Sequence, residues 1–231
     1  MDALKALYDN LKHKNDNNFQ RIDITNQKVN DCTWLNHIYI SPSVRYGHLE
    51  YFKSNNDAIE VVHSVFYPSF FKALPIFGFD VISLGGKVSG VFCDFTPSPY
   101  HDIILQTTIS SVKEHFKHLQ RGLPEWVNFM SPEFLMISPR DEYKKVEEAC
   151  LGLFDIYIAY TKEFDRNNKF LDVQEVQDHI KGQNRYSLGQ RKNQKTQKAL
   201  AKYIGDEAST AFMENVLFPI YQEDTKSKNF S

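Results

Sequence analysis

Between residues 19 and 95 apolar and polar positions alternate with the period of a pleated strand; beyond residue 100 they recur with that of a helix. Segments 19–29, 33–40, 46–53, 58–67, 76–84 and 87–95 are predicted as short strands, several joined by turns tight enough for antiparallel neighbours. Ahead of them, Leu4, Leu7, Tyr8 and Leu11 have the spacing of an amphipathic helix over 2–14, which the Asn/Asp cluster at 15–18 ends. A proline break at Ser98–Tyr100 closes the strand run. A helix over 101–119 follows and stops at Gly122-Leu123-Pro124, and one more strand fits Phe134 to Ile137. The broadest apolar stripe belongs to a helix over 141–164, through Tyr143, Val146, Ala149, Cys150, Leu153, Phe154, Tyr157 and Tyr160. Further helices fit 172–187, 194–204 and 206–217. Strands first and helices after predict an α/β protein of the α+β layered kind, an antiparallel sheet with helices against it.

Several strand positions are polar where a sheet wants apolar side chains. His48 and Glu50 sit two apart and so share a face, and His63 interrupts the apolar run Ile59 to Tyr67. Asp80 falls mid-strand, where a carboxylate is costly unless it is paired, hydrogen-bonded or protonated. Gly85-Gly86 signals a two-residue hairpin with a primed turn. Pairing Leu84 with Lys87 places Asp80, Ile82, Ser89 and Val91 on one face and Asp94 on the other. Two readings fit: a proton-handling pocket, or a satisfied core histidine with a carboxylate near a strand end.

Composition narrows the function classes. At 231 residues the chain has length enough for a full core, and its 18 Phe and 12 Tyr suit either bulky packing or a pocket for a flat conjugated ligand. A net charge of −2 gives no global attraction to nucleic acid or acidic lipid. Cys32, Cys93 and Cys150 are odd in number and lack CxxC spacing, which argues against a disulfide framework or a cysteine-bound metal cluster. With no apolar signal core and no 18-residue apolar run, a soluble cytoplasmic protein is expected. From Lys181 to Lys202 the chain carries seven basic residues and no acidic one. This is either a solvated face or a surface for carboxylates or an acidic partner. No phosphate-cradling loop, nucleophile elbow or HExxH is present.

The pieces RYGHLE (45–50), VVHSVFYP (61–68), LPIFGFD (74–80), GGKVSGVFCDFTP (85–97), QRGLPEW (120–126), NQKTQKAL (193–200) and MENVLFPIYQ (213–222) cover most of the chain. Together they resemble the ferredoxin-dependent bilin reductases. They are most similar to the phycocyanobilin:ferredoxin oxidoreductase branch, and within it to the phycoerythrobilin-forming PcyX type. That resemblance implies one domain over 1–231 and an α/β/α sandwich with a central antiparallel sheet. It implies a monomer that binds biliverdin IXα between the sheet and the C-terminal helices. It also implies no cofactor of its own, with electrons arriving singly from a reduced [2Fe–2S] ferredoxin through bilin radicals.

The same resemblance assigns roles. Asp80 matches the family's central aspartate, His63 its pocket histidine, and Glu50, beside His48, the glutamate used in D-ring vinyl reduction. Ser89, Arg121 and Lys195 match positions that hold the propionates, and the basic residues from Arg191 to Lys202 match a rim for acidic ferredoxin. One position departs: phycocyanobilin-forming enzymes carry Asn-Asp-Lys where this chain has Asn193-Gln194-Lys195. Glutamine has no acidic proton to give. The expected product is phycoerythrobilin by way of 15,16-dihydrobiliverdin, while the retained Glu50 points toward phycocyanobilin. A non-catalytic bilin carrier on the same fold is the remaining alternative.

Overall fold

The structure, a computed structural model, describes residues 3–22, 24, 29, 32–56, 58–97, 102–124, 127–166 and 170–221. A helix α1 (Ala3–Asp16) leads into strands β1 (Gln20–Ile22), β2 (Thr33–Ile40), β3 (Val44–Lys53), β4 (Ile59–Pro68), β5 (Ile76–Leu84) and β6 (Lys87–Thr96). Helix α2 (Ile103–His115) ends in a 3₁₀ turn at Lys117–Leu119, and β7 (Leu135–Ile137) precedes α3 (Tyr143–Arg166). Helices α4 (Val173–Arg191), α5 (Gln194–Ile204) and α6 (Asp206–Phe212) follow, and α6 runs on into a π-helical turn, Met213–Leu217. The predicted strand 19–29 is only Gln20–Ile22 among the described residues. The Ser98–Tyr100 break, Glu125 and Trp126 of the QRGLPEW piece, and Gln222 lie outside them.

All strands run antiparallel in chain order, β1 to β7. The pleat then sorts side chains into two cores. Phe66, Phe77, Phe79, Val81, Val91, Cys93 and Phe95 face α1, α2 and the stripe of α3. Trp34, Phe52, Val65, Tyr67 and Ile76 face the other way, toward Phe129, Tyr186, Phe212, Met213, Leu217 and Phe218. Helix starts follow local chemistry: Asp102 accepts from the Leu105 amide, and Asp172 with Glu175 forms a capping box for α4. Among the described residues no helix is long and apolar enough to cross a membrane.

Gly85 and Gly86 both have positive φ, 56° and 75°, as the predicted primed turn requires, and Leu84 pairs with Lys87. The register beyond the turn corrects the expectation. Ser83 pairs with Val88 but Ile82 with Gly90, so Ser89 is the extra residue of a β-bulge. One inserted residue inverts every later side chain of β6. Val91 therefore enters the α1–α3 core, Asp80 faces Phe92, and Asp94 lies on the Asp80 face rather than opposite it.

Candidate active site

Cross-strand pairing aligns the polar strand residues into one row. Asn36 of β2 faces Glu50 of β3, Glu50 faces His63 of β4, and His63 faces Asp80 of β5. Directly opposed residues have their Cβ atoms about 5 Å apart, so the side chains interact. His63 Nδ1 pairs with Asp80 Oδ1 in a short hydrogen-bonded contact. One rung away, the His48 ring lies 5.7 Å from that of His63, centroid to centroid. The structure thus brings together Glu50, His63, Asp80 and His48.

Burial divides these groups chemically. Burial disfavours charge on His63, but the Asp80 carboxylate, by its charge and its hydrogen bond, and Glu50 beyond it outweigh that and hold its pKa above the usual value. Burial pushes Glu50 up to about 7, against the pull of His63 and of the Trp34 hydrogen bond. His48 is pushed well below the imidazole range, first by burial and then by the neighbouring His63. Its Nε2 lies 3.0 Å from Asn36 Oδ1, which fixes the neutral tautomer with the proton on Nε2. Trp34 Nε1 donates to Glu50 Oε1 at 2.6 Å. Two ring nitrogens, His48 Nδ1 and His63 Nε2, are buried with no hydrogen-bond partner among the described residues. Such groups carry a desolvation cost that a ligand could relieve. The Asp80 side chain is the most open of the row, 34% exposed.

The other predicted residues are placed differently. The Ser89 hydroxyl donates to the Ile82 carbonyl at 3.1 Å, tying down the bulge. Arg121 is exposed at the sheet edge, its amide on the Met136 carbonyl at 2.8 Å. Its guanidinium lies 3.9 Å from where a Cβ on Gly90 would stand, so it reaches over the Asp80 face of β6. The Asn193 side chain caps α5 by accepting from the Lys195 amide, and Gln194 and Lys195 are exposed. Arg191, expected on a docking rim, turns inward instead. Its Nη2 donates to the Glu214 and Phe218 carbonyls, each at 2.8 Å, stitching α4 to the C-terminal segment. Asp94 accepts from the Ser131 amide at 2.9 Å, the Ser131 hydroxyl and the Thr96 hydroxyl at 2.5 Å. It is a structural knot, on the face opposite to the one expected.

Sequence reasoning passed over Trp34 and Asn36 on β2, and it passed over the roof. Phe218 stands edge-on to His63 at 5.9 Å, and Phe212 does the same to His48 at 6.3 Å and to Trp34 at 4.8 Å. Tyr186 completes the cover, its ring against Phe218 and its hydroxyl accepting from Gln190 Nε2 at 3.0 Å. A row of three titratable groups set into a sheet face, under an aromatic roof, has the chemistry to exchange protons with a flat apolar molecule held against it.

Sequence comparison agrees with that class. The profile of the ferredoxin-dependent bilin reductases matches residues 5–219, and the chain belongs to this family. Phycocyanobilin:ferredoxin oxidoreductase of Prochlorococcus marinus (strain MIT 9515) is 28% identical over 166 residues, 69% of this chain and 66% of that protein. The enzyme of the same name from Trichodesmium erythraeum (strain IMS101) is 27% identical over 188 residues, 79% of this chain and 75% of its own length. Among solved structures, tomato phytochromobilin synthase in complex with biliverdin superposes with a TM-score of 0.72 at 15% identity, covering 91% of this chain and 82% of that one. A structure of PcyX superposes with a TM-score of 0.63 at 22% identity, covering 95% and 99%. These two likenesses establish the α/β layered fold.

Proposed function

We propose that this protein, read as one domain over 1–231 and as a monomer, reduces biliverdin IXα with electrons taken one at a time from reduced ferredoxin. The product proposed is phycoerythrobilin, formed by way of 15,16-dihydrobiliverdin. The observation that carries the reading is the continuous row Glu50–His63–Asp80 on one sheet face. Four electrons and four protons convert the substrate to product, and each electron leaves a bilin radical basic enough to demand a proton. His63, whose pKa Asp80 raises, and Glu50, poised near neutrality, are suited to donate them. Arg121 would hold a propionate in a bidentate fork at the open edge. Exposed Lys195, Lys198 and Lys202 lie three and four residues apart on α5, so they form one basic stripe suited to an acidic ferredoxin.

One observation favours the phycocyanobilin reading: Glu50 sits in the row beside His63 with a pKa raised to about 7, which makes it a competent second acid despite Gln194. Incubation with biliverdin, reduced ferredoxin and a regenerating system under low oxygen tests both, with products separated by chromatography. Phycoerythrobilin supports the first reading and phycocyanobilin the second. An unchanged biliverdin spectrum would leave only a carrier.

A ligand can reach His48 and the inner part of the row only if the roof moves. Phe212, Met213, Leu217 and Phe218 are each 5% exposed or less, and Phe212 and Phe218 stand over His48 and His63. The π-helical turn Met213–Leu217 lies between Phe212 and Phe218, and such turns are rare and recur at functional sites. Phe218→Ala is therefore expected to speed biliverdin association, by about tenfold if the open form is rare. Stopped-flow absorbance measures this; an unchanged rate would mean that the bilin enters by another route.

A further inference from the structure

We propose that Trp34 is a positioning residue for Glu50: its indole N–H holds one carboxyl oxygen toward β2, so that only the other oxygen can pass a proton to a bound substrate. The inference rests on the bilin-reductase reading for its catalytic consequence, but the pairing itself is a property of the free protein.

The argument starts from donor chemistry. An indole nitrogen donates and never accepts. Trp34 Nε1 lies 2.6 Å from Glu50 Oε1, so Oε1 is an acceptor whether the carboxyl is charged or neutral. When Glu50 is protonated, the bond therefore favours the proton on Oε2, because the carbonyl oxygen of a carboxylic acid accepts better than its hydroxyl oxygen. Trp34 is two residues from Asn36, the direct partner of Glu50, so the bond runs diagonally across β2 and β3 toward the Trp34–Phe52 rung. It draws Oε1 along the sheet, away from the His48 rung.

With the roof closed, the indole is held in place. It is 4% exposed and wedged edge-on between Phe52, at 5.8 Å, and Phe212, at 4.8 Å. Of the neighbours of Glu50, Asn36 Oδ1 is engaged with His48 and His63 Nδ1 with Asp80, and Phe212 of α6, against the indole, is apolar. Glu50 itself is 4% exposed, and its only side-chain donor among the described residues is Trp34. Losing that donor would leave burial less opposed and drive its protonation equilibrium upward in pH.

The test uses the ligand-free protein first. The chain has two tryptophans, Trp34 and Trp126, so in a Trp126→Phe background the emission comes from Trp34 alone. It should change with a midpoint near pH 7, and Glu50→Gln should abolish that transition. No transition, or one that survives Glu50→Gln, would overturn the pairing without touching the assigned reaction. Trp34→Phe keeps an aromatic ring and removes the donor. It should move the carboxylic-acid C=O infrared band of Glu50, identified by its loss in Glu50→Gln, to a higher pH midpoint. In turnover it should shift the ratio of bilin products and lower kcat about tenfold or more, with KM for biliverdin within threefold. A shifted band with wild-type kcat and product ratio would overturn the positioning role. A wild-type protein that never reduces biliverdin would instead remove the reaction and leave the pairing standing.

Discussion

Replacing Asp80 with asparagine is expected to lower turnover of biliverdin at least a hundredfold while changing its binding no more than about threefold. Asparagine keeps an oxygen within reach of His63 but brings no charge. In the native site burial works against the imidazolium, and the Asp80 carboxylate is the first of the forces that overcome it. Without that charge, burial prevails and His63 falls below its ordinary range, so it is neutral at the pH where the reaction runs. Glu50 does not replace it, because it is 4% exposed and stands a strand farther from the open Asp80 end of the row. The native rate should fall as pH rises through the elevated His63 value, whereas the variant should lose that limb. Single-turnover absorbance across pH 6 to 9 measures both. Wild-type turnover in Asp80→Asn would remove the His63–Asp80 pair from proton delivery.

How much of this could be read in the sequence depends on what sets register. The strands, the helices and the Gly85-Gly86 turn are local, and periodicity with turn chemistry found each one. Lys87 to Gly90 looks like ordinary alternation, and a bulge is a choice of pairing that only tertiary packing makes. Gly90, a glycine inside a strand, was the one available hint. The β4–β5 register, which opposes His63 and Asp80, spans a connection from Ser69 to Pro75 too long for a turn type to dictate. Their meeting was legible only through the family resemblance.

The partners on β2 were within reach. The short connection from Ser41 to Ser43 fixes an antiparallel pairing in which Asn36 opposes Glu50, and Trp34 then stands on the same face. What diverted attention was residue type, since Trp and Asn carry no titratable proton and so do not advertise chemistry. The roof was illegible for another reason. A helical pattern over 206–217 gives no sign that hydrogen bonding changes to π geometry at Met213, and that change decides where Phe218 lands. Arg191 follows from it, because its acceptors are carbonyls of that segment.

Glu50→Gln is expected to make the folded protein more stable by about 2 to 3 kcal/mol at pH 8, with little effect at pH 4. The carboxyl ionises near 4.5 when exposed and near 7 when folded. Between those values the unfolded chain has shed a proton that the folded chain keeps, so native stability falls as pH rises. His63 adds to the same slope, since a raised imidazole pKa stabilises the fold below about 6.5 and loses that effect as pH climbs through the folded value. Glutamine removes the Glu50 contribution while its amide oxygen still accepts from Trp34, so the cost of a buried ionisable group disappears and the packing does not. Denaturation midpoints at pH 4, 6 and 8 separate the two proteins, and a gap of this size shifts Tm by roughly 5 to 10 °C in a chain this long. Parallel pH profiles would mean that Glu50 is solvated in the native state and could not be the second acid. A stabilised variant that has also lost activity would show that the native chain tolerates this instability because proton delivery to the bilin needs an acid poised near neutrality.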